Sequence, residues 1–164
     1  MRYTVAFFAA LTGLAACSSS AAPIYLKSGA GGDGSGSSWA NACTDLQAAA
    51  LLASGSRTNV VLAGTVEVKS SGVANFTVPV RILGGFTGYQ DTLDAHDPAK
   101  RAVVEGRNVG KGIYLSATTG TTLIEDVEVK HMNGRGIEKA NAGNLELRRC
   151  RIEDNGVGVN ASQI

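Results

Sequence analysis

The chain has 164 residues, enough for one domain, and 44% hydrophobic against 18% charged residues excludes a disordered chain. With Arg2 set aside in an N-terminal export segment, 14 Lys and Arg balance 14 Asp and Glu. No excess field then exists to hold a polyanion, so nucleic acid is not an expected partner. Twenty-one glycines beside three prolines and 5% aromatic residues point to short strands joined by tight corners around a narrow interior.

The first element is the export segment. Arg2 supplies a positive start, and Val5 to Ala16 is an apolar run too short to span a bilayer as a helix, which takes about 20 residues. Residues 1–16 therefore read as a cleavable signal peptide. Leu14-Ala15-Ala16-Cys17 resembles the lipobox of bacterial lipoproteins, which implies cleavage before Cys17 and a diacylglycerol on its thiol. The alternative is an ordinary signal peptide followed by a bystander cysteine. Two or more acyl chains, at about 0.8 kcal/mol per buried methylene, give stable anchoring. Ser18 and Ser19 follow the cysteine, which resembles lipoproteins sent to the outer membrane. The expected location is thus the bacterial cell envelope, with the membrane as a partner through the lipid and residues 17–23 as tether.

Residues 24–58 read as an N-terminal cap. Ile24 to Lys27 is a strand candidate, and the Gly- and Ser-rich run Ser28 to Ser38 is a loop. Its Gly31-Gly32-Asp33-Gly34 occurs once, without the period of calcium-binding repeats, so no metal is expected there. Residues 41–53 form the one convincing helix, with Leu46, Ala49, Ala50 and Ala53 on one face and Asn41 or Thr44 as cap. From residue 59 to 164 the chain reads as β, with strands at Val60 to Ala63, Thr65 to Lys69, Val78 to Leu83, Ala102 to Val104 and Ile113 to Ser116. Cys43 and Cys150 are even in number, so a bridge between them is open; a packing role for Cys150 competes with it.

Internal repetition carries the fold. Gly110-Lys-Gly-Ile113, Gly134-Arg-Gly-Ile137 and Gly156-Val-Gly-Val159 share one pattern at spacings of 24 and 22. The same alignment puts Ile124 over Leu147, Val127 over Cys150 and Val129 over Ile152 as an inward apolar stack. It also sets Glu125 over Arg148, Asp126 over Arg149 and Glu128 over Arg151, an expected ion-pair ladder if successive coils lie about 4.8 Å apart. The predicted fold class is all-β, a right-handed parallel β-helix, a solenoid with coils of 22 to 24 residues and one N-terminal capping helix. Such coils bury their apolar faces only against their neighbours.

Ile24-Tyr-Leu-Lys, Gly31-Gly-Asp-Gly, Ser37-Ser-Trp39-Ala-Asn-Ala, Asp45-Leu46-Gln47, Gly84-Gly-Phe86-Thr-Gly88 and Val104-Glu-Gly106 together resemble the pectin-lyase-like superfamily. Within it, the chain is similar to bacterial surface proteins related to polymorphic outer-membrane repeats. The resemblance implies the β-helix and raises the question of an enzyme. Asp126, Glu128, Arg149 and Arg151 are the candidates for an acid-base or calcium-assisted site. The polygalacturonase signatures Asn-Thr-Asp, Asp-Asp, Gly-His-Gly and Arg-Ile-Lys do not occur, and Arg151-Ile152-Glu153 is the nearest approach. His96, among the aspartates of Asp91 to Arg101, and His131, at a corner, read as solvated loop residues.

No catalytic residue, metal ligand or cofactor is therefore expected. The chain stops inside what should be another coil, so the C-terminal end is expected to be uncapped, as in a fragment, and to call for a missing segment or a partner chain. The expected function is an envelope-anchored lipoprotein whose non-catalytic β-helix presents a surface for polysaccharide binding or adhesion. The alternative is the N-terminal part of a polysaccharide lyase or glycoside hydrolase, and a third reading is an interrupted frame without function.

Overall fold

A computed structural model describes residues 22–69, 72–90, 92–107 and 109–161. The expected signal peptide, the lipobox and Cys17 lie outside these residues. The described chain is all-β apart from one α-helix and one 3-10 turn, Leu93–Ala95. In order it runs β1 (Ile24–Lys27), α1 (Leu46–Leu52), β2 (Asn59–Ala63), β3 (Thr65–Glu67), β4 (Ala74–Phe76), β5 (Arg81–Phe86) and β6 (Ala102–Glu105). It continues through β7 (Lys111–Leu115), β8 (Thr121–Glu125), β9 (Val127–Lys130), β10 (Arg135–Lys139), β11 (Asn144–Arg148), β12 (Arg151–Glu153) and β13 (Val157–Ala161).

From β2 onward the chain visits three parallel sheets in rotation. The first is ordered β1-β2-β5-β8-β11, the second β3-β6-β9-β12 and the third β4-β7-β10-β13. Side chains alternate along each strand, so every second residue faces the interior. Three apolar columns result, one per sheet. Ile24, Val60, Ile82, Ile124 and Leu147 follow one another in the first. Val66, Val104, Val129 and Ile152 line up in the second, and Ala74, Ile113, Ile137 and Val159 in the third. All are buried until the last strand of each sheet, where Leu147 is 37% and Val159 43% exposed.

The glycine pairs of the repeat are a packing requirement. A Cβ on Gly112 would lie 2.3 Å from the Gly136 carbonyl oxygen, and one on Gly134 would lie 2.2 Å from that of Gly110. Backbones of successive coils approach there more closely than any side chain permits. Between the first and second sheets the chain turns at a left-handed residue, Asp126 (φ 55°) after β8 and Arg149 (φ 49°) after β11. Polar side chains that bond locally tolerate this conformation better than others, and Asp is among them.

The helix is shorter than the expected 41–53. Cys43 is held in a parallel bridge to Leu26, and Asp45 in one to Glu67, so the segment before Leu46 is extended. Asp45, and neither Asn41 nor Thr44, caps α1 by accepting from the Ala48 N–H at 2.9 Å. Leu46, Ala49 and Ala50 join the same core as Ile24, Leu26 and Val60. The expected strand at Val78 to Leu83 starts at Arg81, because Pro79 has no N–H to give a ladder. Register partners are 22 to 24 residues apart from β7 onward, but from β5 to β8 the separation is longer: Ile82 pairs with Ile124.

Candidate functional site

Two places gather chemistry. One is the corner after β8, where the Asp126 side chain is fully buried. Its Oδ1 accepts from Arg149 Nε at 2.7 Å and its Oδ2 from Arg149 Nη2 at 2.8 Å, a bidentate pair. The same Nη2 donates to Glu125 Oε1 at 2.6 Å. His96 Nε2 stands 3.4 Å from Asp126 Oδ2, while its Nδ1 faces the Leu93 carbonyl oxygen at 3.3 Å. Arg101 Nε donates to the Arg149 carbonyl at 2.8 Å. Arg149 above all, with help from His96 and Arg101, holds the Asp126 carboxyl below the usual carboxylate range against the opposing effect of burial. The Asp126 backbone is equally enclosed: its carbonyl accepts from Ala102 N–H, and a Cβ on Gly84 would sit 1.9 Å from that oxygen.

His96, Glu125 and Asp126 offer ligand atoms within 4.8 Å of one another. The positive charge that these two carboxylates call for comes from Arg149. His96 stays in a loop with its side chain 28% exposed, but it lies against Asp126 as well as facing solvent. The loop between β5 and β6 folds back on the first sheet and delivers its ring to the corner, 6.1 Å from the Phe86 ring.

The second place is the outer face of the third sheet. Asn75, Tyr114, Glu138 and Asn160 stand in one register column across β4, β7, β10 and β13. Lys111 Nζ lies 4.6 Å from the Tyr114 ring centroid and 2.9 Å from Glu138 Oε2, and Arg135 also pairs with Glu138. Ser116 Oγ donates to Asn75 Oδ1 at 2.6 Å. An amide, a phenol, a carboxylate and a second amide thus repeat at strand spacing with two cations beside them. The outer face of the first sheet differs: Val61, Ala63, Leu83 and Phe86 lie beneath Trp39, whose Nε1 donates to the Gln90 carbonyl at 2.7 Å.

The ladder expected from sequence needs correction. Glu125 faces Arg148 and Glu128 faces Arg151 in register. Yet Arg148 pairs with Glu146 and Arg151 with Glu153, each at 2.7 Å along its own strand, and Glu128 pairs with Lys130 at 3.0 Å. Of these three arginines it is Arg149 that bonds the preceding turn, because its left-handed corner turns the side chain toward Asp126 and Glu125. In the inward stack, Val127 and Val129 are fully buried, Ile152 half-buried, and Leu147 more exposed than the rest.

Cys43 and Cys150 are free thiols, both pushed above the ordinary range by burial. Cys150 donates to the Ile124 carbonyl at 3.2 Å. His131 at the next corner lies 2.9 Å from Glu105 Oε1 and 3.9 Å from Asp154 Oδ2. Burial raises the Glu105 carboxyl, but the His131 contact and the Arg107 N–H outweigh it, so the group lies low. Asp33 of the Gly-rich loop accepts from the Ser35 N–H at 2.9 Å. No protein-family model matches the chain, and neither the curated proteins nor the solved structures give a significant match.

Proposed function

We propose that the chain is an envelope-anchored lipoprotein, lipidated at Cys17 and located at the outer membrane, whose right-handed parallel β-helix presents a surface for polysaccharide binding. The rotation of the strands through three parallel sheets supports the β-helix. The observation that carries the binding role is the register column Asn75, Tyr114, Glu138 and Asn160 with Lys111 and Arg135 beside it. Evenly spaced hydrogen-bonding groups suit a linear polymer of hydroxyls, and the two cations favour one that carries carboxylates.

Titration calorimetry of the full chain in nonionic detergent tests this with polygalacturonate and a neutral glucan as probes. Polygalacturonate is expected to bind, more weakly as salt rises, and Tyr114→Ala or Arg135→Ala to weaken binding about tenfold. Heats at baseline for both polymers would remove the binding role. The alternative, a polysaccharide lyase or hydrolase, has the buried Asp126 beside His96 and Arg149 in its favour. Release of new chain ends from polygalacturonate, abolished in His96→Ala, would establish it instead.

A further inference from the structure

β4 is the edge strand of the third sheet, and α1 packs beside it. Alternation along the strand turns Ala74 and Phe76 inward, which sets Val73, Asn75 and Thr77 on the outer face. α1 buries Leu46, Ala49 and Ala50 and leaves Leu51 87% exposed, while Val73 across from it is 45% exposed. Between helix and strand lies a cleft of about 400 Å³, a size that suits a small ligand, lined by Ala50, Leu51, Val73, Asn75, Thr77 and Gln47. Gln47 fixes its shape. Its Nε2 donates to the Lys69 and Gly72 carbonyls at 2.8 and 3.1 Å, and its Oε1 accepts from the Lys69 N–H at 3.2 Å, so the connection from β3 is clasped to the helix.

Asn75 belongs both to the cleft and to the column Asn75, Tyr114, Glu138 and Asn160, so a polymer that follows the column past β4 runs into the cleft. The chemistry changes there. Lys111 and Arg135 stand beside the column, whereas none of the described residues that line the cleft is charged. A carboxylate in the cleft would give up water without meeting a cation, so a neutral sugar residue is favoured. Leu51 and Val73 offer apolar walls. Asn75, whose Oδ1 is taken by Ser116 Oγ, keeps its Nδ2 hydrogens for an outside acceptor, and the Thr77 hydroxyl can accept from a donor. One acceptor, one donor and one methyl are what an acetamido group presents. We propose that the cleft is the end subsite of the glycan face and takes an N-acetylated amino sugar, its carbonyl toward Asn75, its N–H toward Thr77 and its methyl between Leu51 and Val73. The assignment rests on the glycan-binding reading of this face and adds to it a sugar that follows the uronates.

Titration calorimetry of the full chain in nonionic detergent reads this with two probes. Hexagalacturonate has no acetamido group, and a hyaluronan hexasaccharide alternates uronates with N-acetylglucosamine. Both are expected to bind. Leu51→Ser, at an exposed position, and Val73→Thr, close in shape to the original, are expected to keep the circular dichroism of wild type. Each is expected to weaken the hyaluronan oligomer about fourfold, the worth of one buried methyl, and to leave hexagalacturonate unchanged. A hyaluronan oligomer that does not bind, or binds indifferently to both substitutions, overturns the proposal and leaves the face with its uronates. Equal losses for the two oligomers overturn it as well, because the walls then serve any sugar ring. Heats at baseline for both oligomers remove the glycan face, and the role of the cleft with it.

Discussion

Arg149 does three things from one corner: it turns the chain, binds Asp126 with two hydrogen bonds and reaches Glu125 with the second of its nitrogens. Because the Asp126 carboxyl is held low in the folded state, its pairing stabilises fully above the unfolded value of about 4 and is lost as pH falls through the folded one. Arg149→Gln leaves that buried charge without its main partner. The variant is expected to unfold at lower urea than wild type at pH 7, and the difference between the two midpoints to shrink as pH drops below about 4. A gap that stays constant with pH would mean that Arg149 acts by packing alone. The pairing of Arg149 with Asp126 is readable from the repeat spacing, since both occupy the same position in successive coils. The retargeting of Arg148 and Arg151 is not, because a residue two places away on the same strand face is as near as one across coils, and spacing does not rank them. His96 is unreadable for another reason: nothing in a local window says that a residue 30 positions earlier will lie against Asp126.

At the level of the element, the Gly-x-Gly units show the register because a steric demand recurs at fixed positions. Gly112→Ala drives a Cβ to within 2.3 Å of the Gly136 oxygen, and both are backbone-bound and cannot yield. A loss of about 3 kcal/mol in urea denaturation is expected. Gly158→Ala, in the same column of the last strand, meets only the Ile152 Cγ2 at 3.7 Å and is expected to stay within about 0.5 kcal/mol of wild type. Equal losses at the two sites would show that flexibility, not close approach, is what the glycines supply. The short strand β4 has no such signature. Three residues with Ala74 and Phe76 inward give too little alternation to stand out, and the strand exists because β7 offers Ile113 and Leu115 as partners. The helix boundary misleads in the opposite direction: alanines favour helix over 41–53, but the bridges of Cys43 and Asp45 to their neighbours prevail over propensity.

For the whole molecule, the proposed lipid anchor and the described fold are separable. Cys17→Ala is expected to move the protein from the detergent phase to the aqueous phase on detergent phase separation, with its circular dichroism unchanged. Partition unaltered by the substitution would leave anchoring to the uncleaved apolar segment. From β5 onward, each strand has its earlier partner in the preceding coil of its own sheet, and α1 closes the coil that is made first. The molecule can therefore be assembled in the order in which the chain emerges N-terminus first, each finished turn serving as the mould for the one that follows. Each strand edge stays exposed until the next strand pairs with it, which puts a premium on how quickly that next strand arrives.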